Sequence, residues 1–178
     1  ADRAGRGGDL PKRGFACASA TDRVRAMRRF THTDDFSALH ALLRRAFAGM
    51  EGRIDPPSSL TRMSADDLRQ KLDRSEIWGI STADQLVACL IMTPRDDHLY
   101  LGKLAVDPAH QGKGLARQLL IQAEQRAGQL HLSALQLQTR VELTENHRFF
   151  RHLGFQCIAQ TCHKGYDQPT SLTFRKPL

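Results

Sequence analysis

The stretch that decides the fold reads Leu99-Tyr100-Leu101-Gly102-Lys103-Leu104-Ala105-Val106, then Asp107-Pro108, then Gln111-Gly112-Lys113-Gly114-Leu115-Ala116. The first eight residues read as an apolar strand. The last six form a glycine-containing turn that opens an amphipathic helix. Its apolar residues fall at 115, 116, 119, 120, 123 and 127, and Gly128 is expected to end it. The free amides of a first helical turn point outward, and the helix dipole adds partial positive charge there. The turn is therefore an anion-binding device, and phosphate is the expected ligand.

Two familiar phosphate loops do not fit. A P-loop needs glycine at 107 and Ser or Thr at 114, where the chain has Asp107 and Gly114. A dinucleotide-binding turn needs a third glycine at 117, which is Arg117. The pattern that does fit is Gln/Arg-x-x-Gly-x-Gly/Ala, met by Gln111, Gly114 and Ala116.

Working outward, Val24 to Phe30 alternates as a first strand, and Asp34 to Phe47 has helical spacing of Phe36, Leu39, Leu43, Ala46 and Phe47. The Asp55-Pro56-Pro57-Ser58-Ser59 run makes 49–60 a loop. Ser64 with Asp67 forms a capping box, and Met63 with Leu68 a staple, for a helix to about Arg74. Residues 77–81, 85–93 and 98–106 read as an antiparallel meander. After the glycine turn and its helix, Leu135, Leu137, Thr139 and Val141 alternate against Gln136, Gln138 and Arg140 as a strand. Thr144 is expected to cap a short helix over 145–153 that Gly154 ends, and 156–161 and 171–175 are the last strands. A right-handed crossover makes the strand before the turn parallel to 134–141.

This order, the Gln111–Ala116 turn and the segment Asn146…Phe150-Arg151-His152-Leu153-Gly154-Phe155 together resemble the GNAT acetyltransferases over residues 24–178. The resemblance implies an α/β (α+β) fold. Its central mixed, mostly antiparallel sheet has about seven strands and about four flanking helices, with a splayed parallel pair at the acetyl-CoA site. It implies that Leu104, Ala105 and Val106 offer main-chain groups to the pantetheine arm. The amides of Gly112, Lys113, Gly114, Leu115 and Ala116, with the Gln111 side chain, would cradle the pyrophosphate, and Asn146 and Phe149 would add donor contacts from the short helix. Lys113 and Arg117 either add charge near the phosphates or are solvated. The implied reaction is direct attack of an amine on the thioester. In the family a Tyr commonly protonates the leaving thiolate, and here that position is Phe150. Glu142 is the candidate base. Tyr166 is a candidate acceptor-side group, as are Asp55, Ser58, Asp167 and Thr170, which equally serve as turn formers. His147 and His152 read as surface residues.

The 178 residues fit one domain. No apolar run approaches the roughly 20 residues that span a bilayer. Of the net charge of +7, residues 1–30 carry +5 and the remainder only +2. A nearly balanced body argues against general nucleic-acid binding. Residues 1–20 read as a basic, disordered tail ahead of a 21–178 catalytic domain. Phe15–Ala20 faintly matches a signal cleavage site, yet no apolar segment of roughly 7–15 residues precedes it, so a cytoplasmic protein is expected. Cys17, Cys89, Cys157 and Cys162 contain no CxxC pair. Cys157, Cys162 and His163 are too irregularly spaced for a metal site, none being expected, and Cys89 reads as a small core residue. The expected partners are a small-molecule or peptide amine and, since dimers are common in the family, a second copy of the chain. The open alternatives are a CoA-binding sensor without turnover, and a ribosomal-protein acetyltransferase whose basic tail contacts nucleic acid.

Overall fold

The computed structural model describes residues 25–83 and 85–178, and the expected tail lies outside them. Strands β1 (Arg25–Arg29), β2 (Glu76–Thr82), β3 (Gln85–Pro94), β4 (Leu99–Val106), β5 (Ala134–Arg140), β6 (Gln156–Thr161) and β7 (Ser171–Pro177) form one sheet. Their order is β1-β2-β3-β4-β5-β7-β6, antiparallel except for β4 and β5. Helices α1 (Phe36–Phe47), α2 (Ala65–Gln70), α3 (Leu115–Gln129) and α4 (Thr144–His152) flank it.

Alternation along the central strand β3 places one core on each face. Ala88, Leu90 and Met92 pack with Leu115, Leu119, Leu120 and Ala123 of α3. Cys89 and Ile91 pack with Phe36, Leu39, Leu42 and Leu43 of α1 and Leu68 of α2. Burial on both faces is what a near-continuous apolar run such as Leu86–Met92 requires. Cys89 is fully buried, which pushes its thiol up to about 12 and makes it the inert core residue expected.

The element that positions the site is an interrupted ladder. β4 pairs with β5 only from Leu99↔Leu135 to Leu101↔Leu137. Beyond that point the β3–β4 register shifts, and Lys103 takes a left-handed φ of 53°. This bulge bends β4 away from its parallel neighbour and leaves its edge beyond Leu101 without a ladder partner on the β5 side.

Several local expectations need correction. The first helix begins at Phe36, because the Asp35 carboxylate accepts from Ser37 N (2.8 Å) and Ala38 N (3.1 Å) as the cap. α2 ends at Gln70, and the chain continues as a 3-10 turn over Lys71–Asp73. α3 does not stop at Gly128. It runs to Gln129, and the left-handed stop is His131 at φ 56°. There Leu132 N bonds Ala127 O (2.9 Å) and His131 N bonds Gly128 O (3.1 Å), the paired bonds of a Schellman ending. Thr144 is the first residue of α4 rather than its cap, which is Leu143 with no side-chain bond. Gly154, at φ 88°, does end that helix, with Phe155 N bonding Phe150 O (3.0 Å). His147 is buried, not a surface residue. Its Nε2 pairs with the Arg140 carbonyl oxygen (2.8 Å), and its ring lies 5.7 Å from that of Phe174.

Candidate active site

Two cavities open where β4 and β5 part. The larger, about 740 Å3, runs from the unpaired edge of β4 to the start of α3 and across to α4. Ten of the eleven residues singled out for the donor line it: Leu104, Ala105, Val106, Gln111, Gly112, Gly114, Leu115, Ala116, Asn146 and Phe149. The eleventh, Lys113, stands in the same exposed turn. Gly112 and Gly114 adopt φ of 75° and 76°, which β-carbon-bearing residues populate poorly. No side chain caps α3, and its first turn holds no acid, so the opening amides and the dipole are left for an anion.

The turn is set by Asp107, which sequence reasoning passed over. Asp107 is buried, accepts from Ala109 N (3.0 Å) and pairs with Arg45 Nε (2.8 Å), while its own amide bonds Val87 O (2.8 Å). Burial opposes its charge, yet the Arg45 guanidinium and the Ala109 amide hold its carboxyl below the ordinary value. The strand end and the glycine turn are thereby anchored to both β3 and α1.

The second cavity, about 240 Å3, lies on the other side of the gap under the 49–60 loop. Phe47, Met50, Leu104, Asn146 and Phe150 line both cavities, so the two meet at Leu104. Phe150 is buried against Phe155 (5.7 Å) and Phe174 (6.3 Å) and brings only an apolar ring to the junction.

Residues 53–55 of the loop over the smaller cavity are tied down by three bonds. Arg53 pairs with Glu145 (2.6 Å), the Asp55 amide donates to Glu142 Oε1 (3.0 Å), and the Tyr166 hydroxyl donates to Asp55 Oδ1 (2.5 Å). Glu142 and Tyr166 thus come together through Asp55 at the rim. Burial works against the Glu142 charge, but the Asp55 amide and Arg140 hold its carboxyl below the usual range. The bond to Asp55, with burial and nearby negative charge, raises the Tyr166 phenol. Ser58 lines the cavity, and Thr170 is buried with its hydroxyl on His163. Asp167 and His152 are exposed, His152 on the wall of the larger cavity.

Lys103, Arg140 and His163 line the smaller cavity; the sequence pointed to neither cation, and weighed His163 only as a metal ligand. Arg140 fell on the outward face of an alternating strand, and only the parting of β4 from β5 turns that position into a wall.

The acetyltransferase (GNAT) family model matches residues 36–155. Among solved structures, the chain is similar to the PaiA N-acetyltransferase of Thermoplasma acidophilum in complex with coenzyme A. The TM-score is 0.74 at 14% identity, covering 87% of this chain and 99% of that one. The ribosomal-protein-S18-alanine N-acetyltransferase of Escherichia coli gives 0.65 at 18% identity, with 86% and 94% covered. A GNAT acetyltransferase of Elizabethkingia anophelis with acetyl-CoA bound gives 0.63 at 17% identity, with 86% and 98% covered. The matched segment takes in α1, the splayed β4–β5 pair, the glycine turn and α4, and on that match the chain belongs to the GNAT acetyltransferase family.

Proposed function

We propose that the protein transfers the acetyl group of acetyl-CoA to a primary amine, on a small molecule or a peptide. The observation that carries this reading is the meeting of the two cavities at the unpaired edge of β4. The larger joins an unpaired strand edge, for a pantetheine arm, to an open helix-start turn, for a CoA pyrophosphate. The smaller leaves room for an acceptor beside Leu104. An added pantetheine strand would take the main-chain groups that β5 leaves unpaired, and an amide on that edge would polarise the thioester carbonyl. The amine nitrogen attacks that carbonyl carbon, the C–N bond forms and the C–S bond breaks. The proton that the ammonium loses balances the one that the thiolate gains.

Glu142, kept ionised at neutral pH, is assigned to attracting the ammonium and accepting its proton directly or through water. Tyr166, kept protonated, is assigned to holding Asp55 and the loop in place. Phe150 supplies no proton, so the thiolate leaves without help from α4 or takes a proton from solvent. That same ring is the observation favouring a CoA-binding module without turnover. Among the described residues the thiols of Cys89, Cys157 and Cys162 are free, and a reducing, cytoplasmic setting belongs to the same proposal.

The experiment is direct. Acetyl-CoA is expected to raise the melting temperature, and CoA thiol is expected to appear when amines are added. A melting shift without thiol release from any amine selects the non-catalytic module, and no shift at saturating acetyl-CoA removes the reading.

A further inference from the structure

The smaller cavity has a charge pattern that restricts the acceptor. Lys103 enters it from the bulge of β4 and Arg140 from the end of β5, and its lining contains no Asp or Glu. Among the described residues Lys103 has no carboxylate partner. Its ammonium donates to Ser59 Oγ (3.1 Å) and lies 5.9 Å from the centre of the Phe47 ring. Arg140 has a side chain only 13% exposed, and its Nε and Nη2 are buried without a hydrogen-bond partner. Those two nitrogens form the side-on edge of the guanidinium, the edge that matches two oxygens of one anion. The main chain of Arg140 is fixed by the His147 bond to its carbonyl, and the burial of its side chain limits where this edge can swing.

Glu142 stands nearest the edge, with Oε2 3.6 Å from Nε. That is beyond hydrogen-bond reach, and Oε2 is itself buried without a partner while Oε1 is occupied by the Asp55 amide. Glu142 and Asp55 both stand at the rim and neither lines the cavity, so within it Lys103 and Arg140 meet no negative charge. Burial disfavours the Lys103 charge, and Lys71 adds to the effect. Buried cations without a counter-charge are costly, and a ligand that supplies one is bound in proportion.

We propose, on the acetyl-transfer reading above, that the acceptor is a small amino carboxylate, its carboxylate held between Lys103 and the Nε/Nη2 edge of Arg140. Its amine then lies toward Leu104 and Glu142, where the C–N bond forms as the C–S bond breaks and the proton passes to the thiolate through solvent. The cavity of about 240 Å3 suits an acceptor of amino-acid size.

The test uses the full chain and follows CoA thiol release with matched acceptors: free amino acids, their carboxamides, the corresponding amines lacking the carboxylate, and phosphoethanolamine. Amino carboxylates are expected to exceed their neutral counterparts in kcat/KM by about tenfold or more. Lys103→Met and Arg140→Lys are each expected to raise the amino-acid KM by about tenfold or more. In both variants the melting shift with acetyl-CoA reports that the fold is intact. Equal turnover of acids and carboxamides overturns the proposal, as does a preference for phosphoethanolamine or for neutral amines. An acetyl-CoA shift with no turnover of any amino carboxylate overturns it as well. These outcomes leave acetyl-CoA binding standing. A chain that shows neither the shift nor thiol release instead loses the acetyl-transfer reading, and this proposal with it.

Discussion

Gly114 and Asp107 act on the same turn by different physics. Gly114 has open space where a β-carbon would go, so a substitution there is limited by its φ of 76° and by the approach of a ligand to the backbone. Gly114→Val is expected to fold, losing about 1 kcal/mol or somewhat more to strain, and to lose the acetyl-CoA melting shift. An undiminished shift would show that the turn does not hold the ligand. Asp107 contributes to stability instead. Its folded carboxyl lies below the ordinary value, so its contribution is present above the unfolded pKa of about 4 and is lost as pH falls through the folded value. Asp107→Asn is expected to cost about 1–2 kcal/mol at neutral pH, by thermal or urea unfolding. The gap between variant and wild type is expected to narrow as pH drops below about 4, and a gap independent of pH would refute the ionic account.

At the scale of elements, the two helices around the site end by the same device with different residues. α4 closes on Gly154 at φ 88°, a choice legible in the sequence because glycine carries no steric penalty there. α3 closes on His131 at φ 56°, which no composition rule picks out. Tertiary packing decides it: Ala127 and Leu132 belong to the same core, and the chain must turn after Leu130 to bring Leu132 back to it. His131→Gly is therefore expected to stabilise the protein by about 0.5–1 kcal/mol, less the entropy that glycine adds to the unfolded chain. The check is the unfolding midpoint, and a lower midpoint would mean that the imidazole contributes more than its backbone strain costs. The bulge in β4 is the corresponding device in the sheet. It carries a lysine at positive φ, a strain that fits a position where a strand is diverted to open a site.

At the scale of the whole molecule, the seven-stranded sheet holds the site by contrast between its halves. The β1–β4 meander and the β5-β7-β6 group each pair over most of their strands' length despite local bulges, and they join through only three register pairs between β4 and β5. The reactive gap is therefore a fixed feature of the fold, with a core on either face to hold it open. Residues 1–20 carry only +2 of the net +7, and their deletion is expected to leave the acetyl-CoA melting shift unchanged. A large loss would give the tail a role in the site.

The sequence by itself determined the glycine turn and its place between a strand and a helix. An anion-binding turn is a local object, made of glycines, free amides and the start of a helix. The periodicities of 2 and 3.6 around it were enough to order the strands and helices. Tertiary structure alone decided the smaller cavity. Arg140, Lys103 and His163 are separated along the chain and come together only because a bulged strand leaves its parallel neighbour after three pairs. His147 went from an expected surface residue to a buried anchor for the same reason: its partner is the Arg140 carbonyl, seven residues earlier at the end of β5. Local patterns record which face of an element is apolar. They do not record where two elements part, and in this protein the smaller cavity lies at that parting.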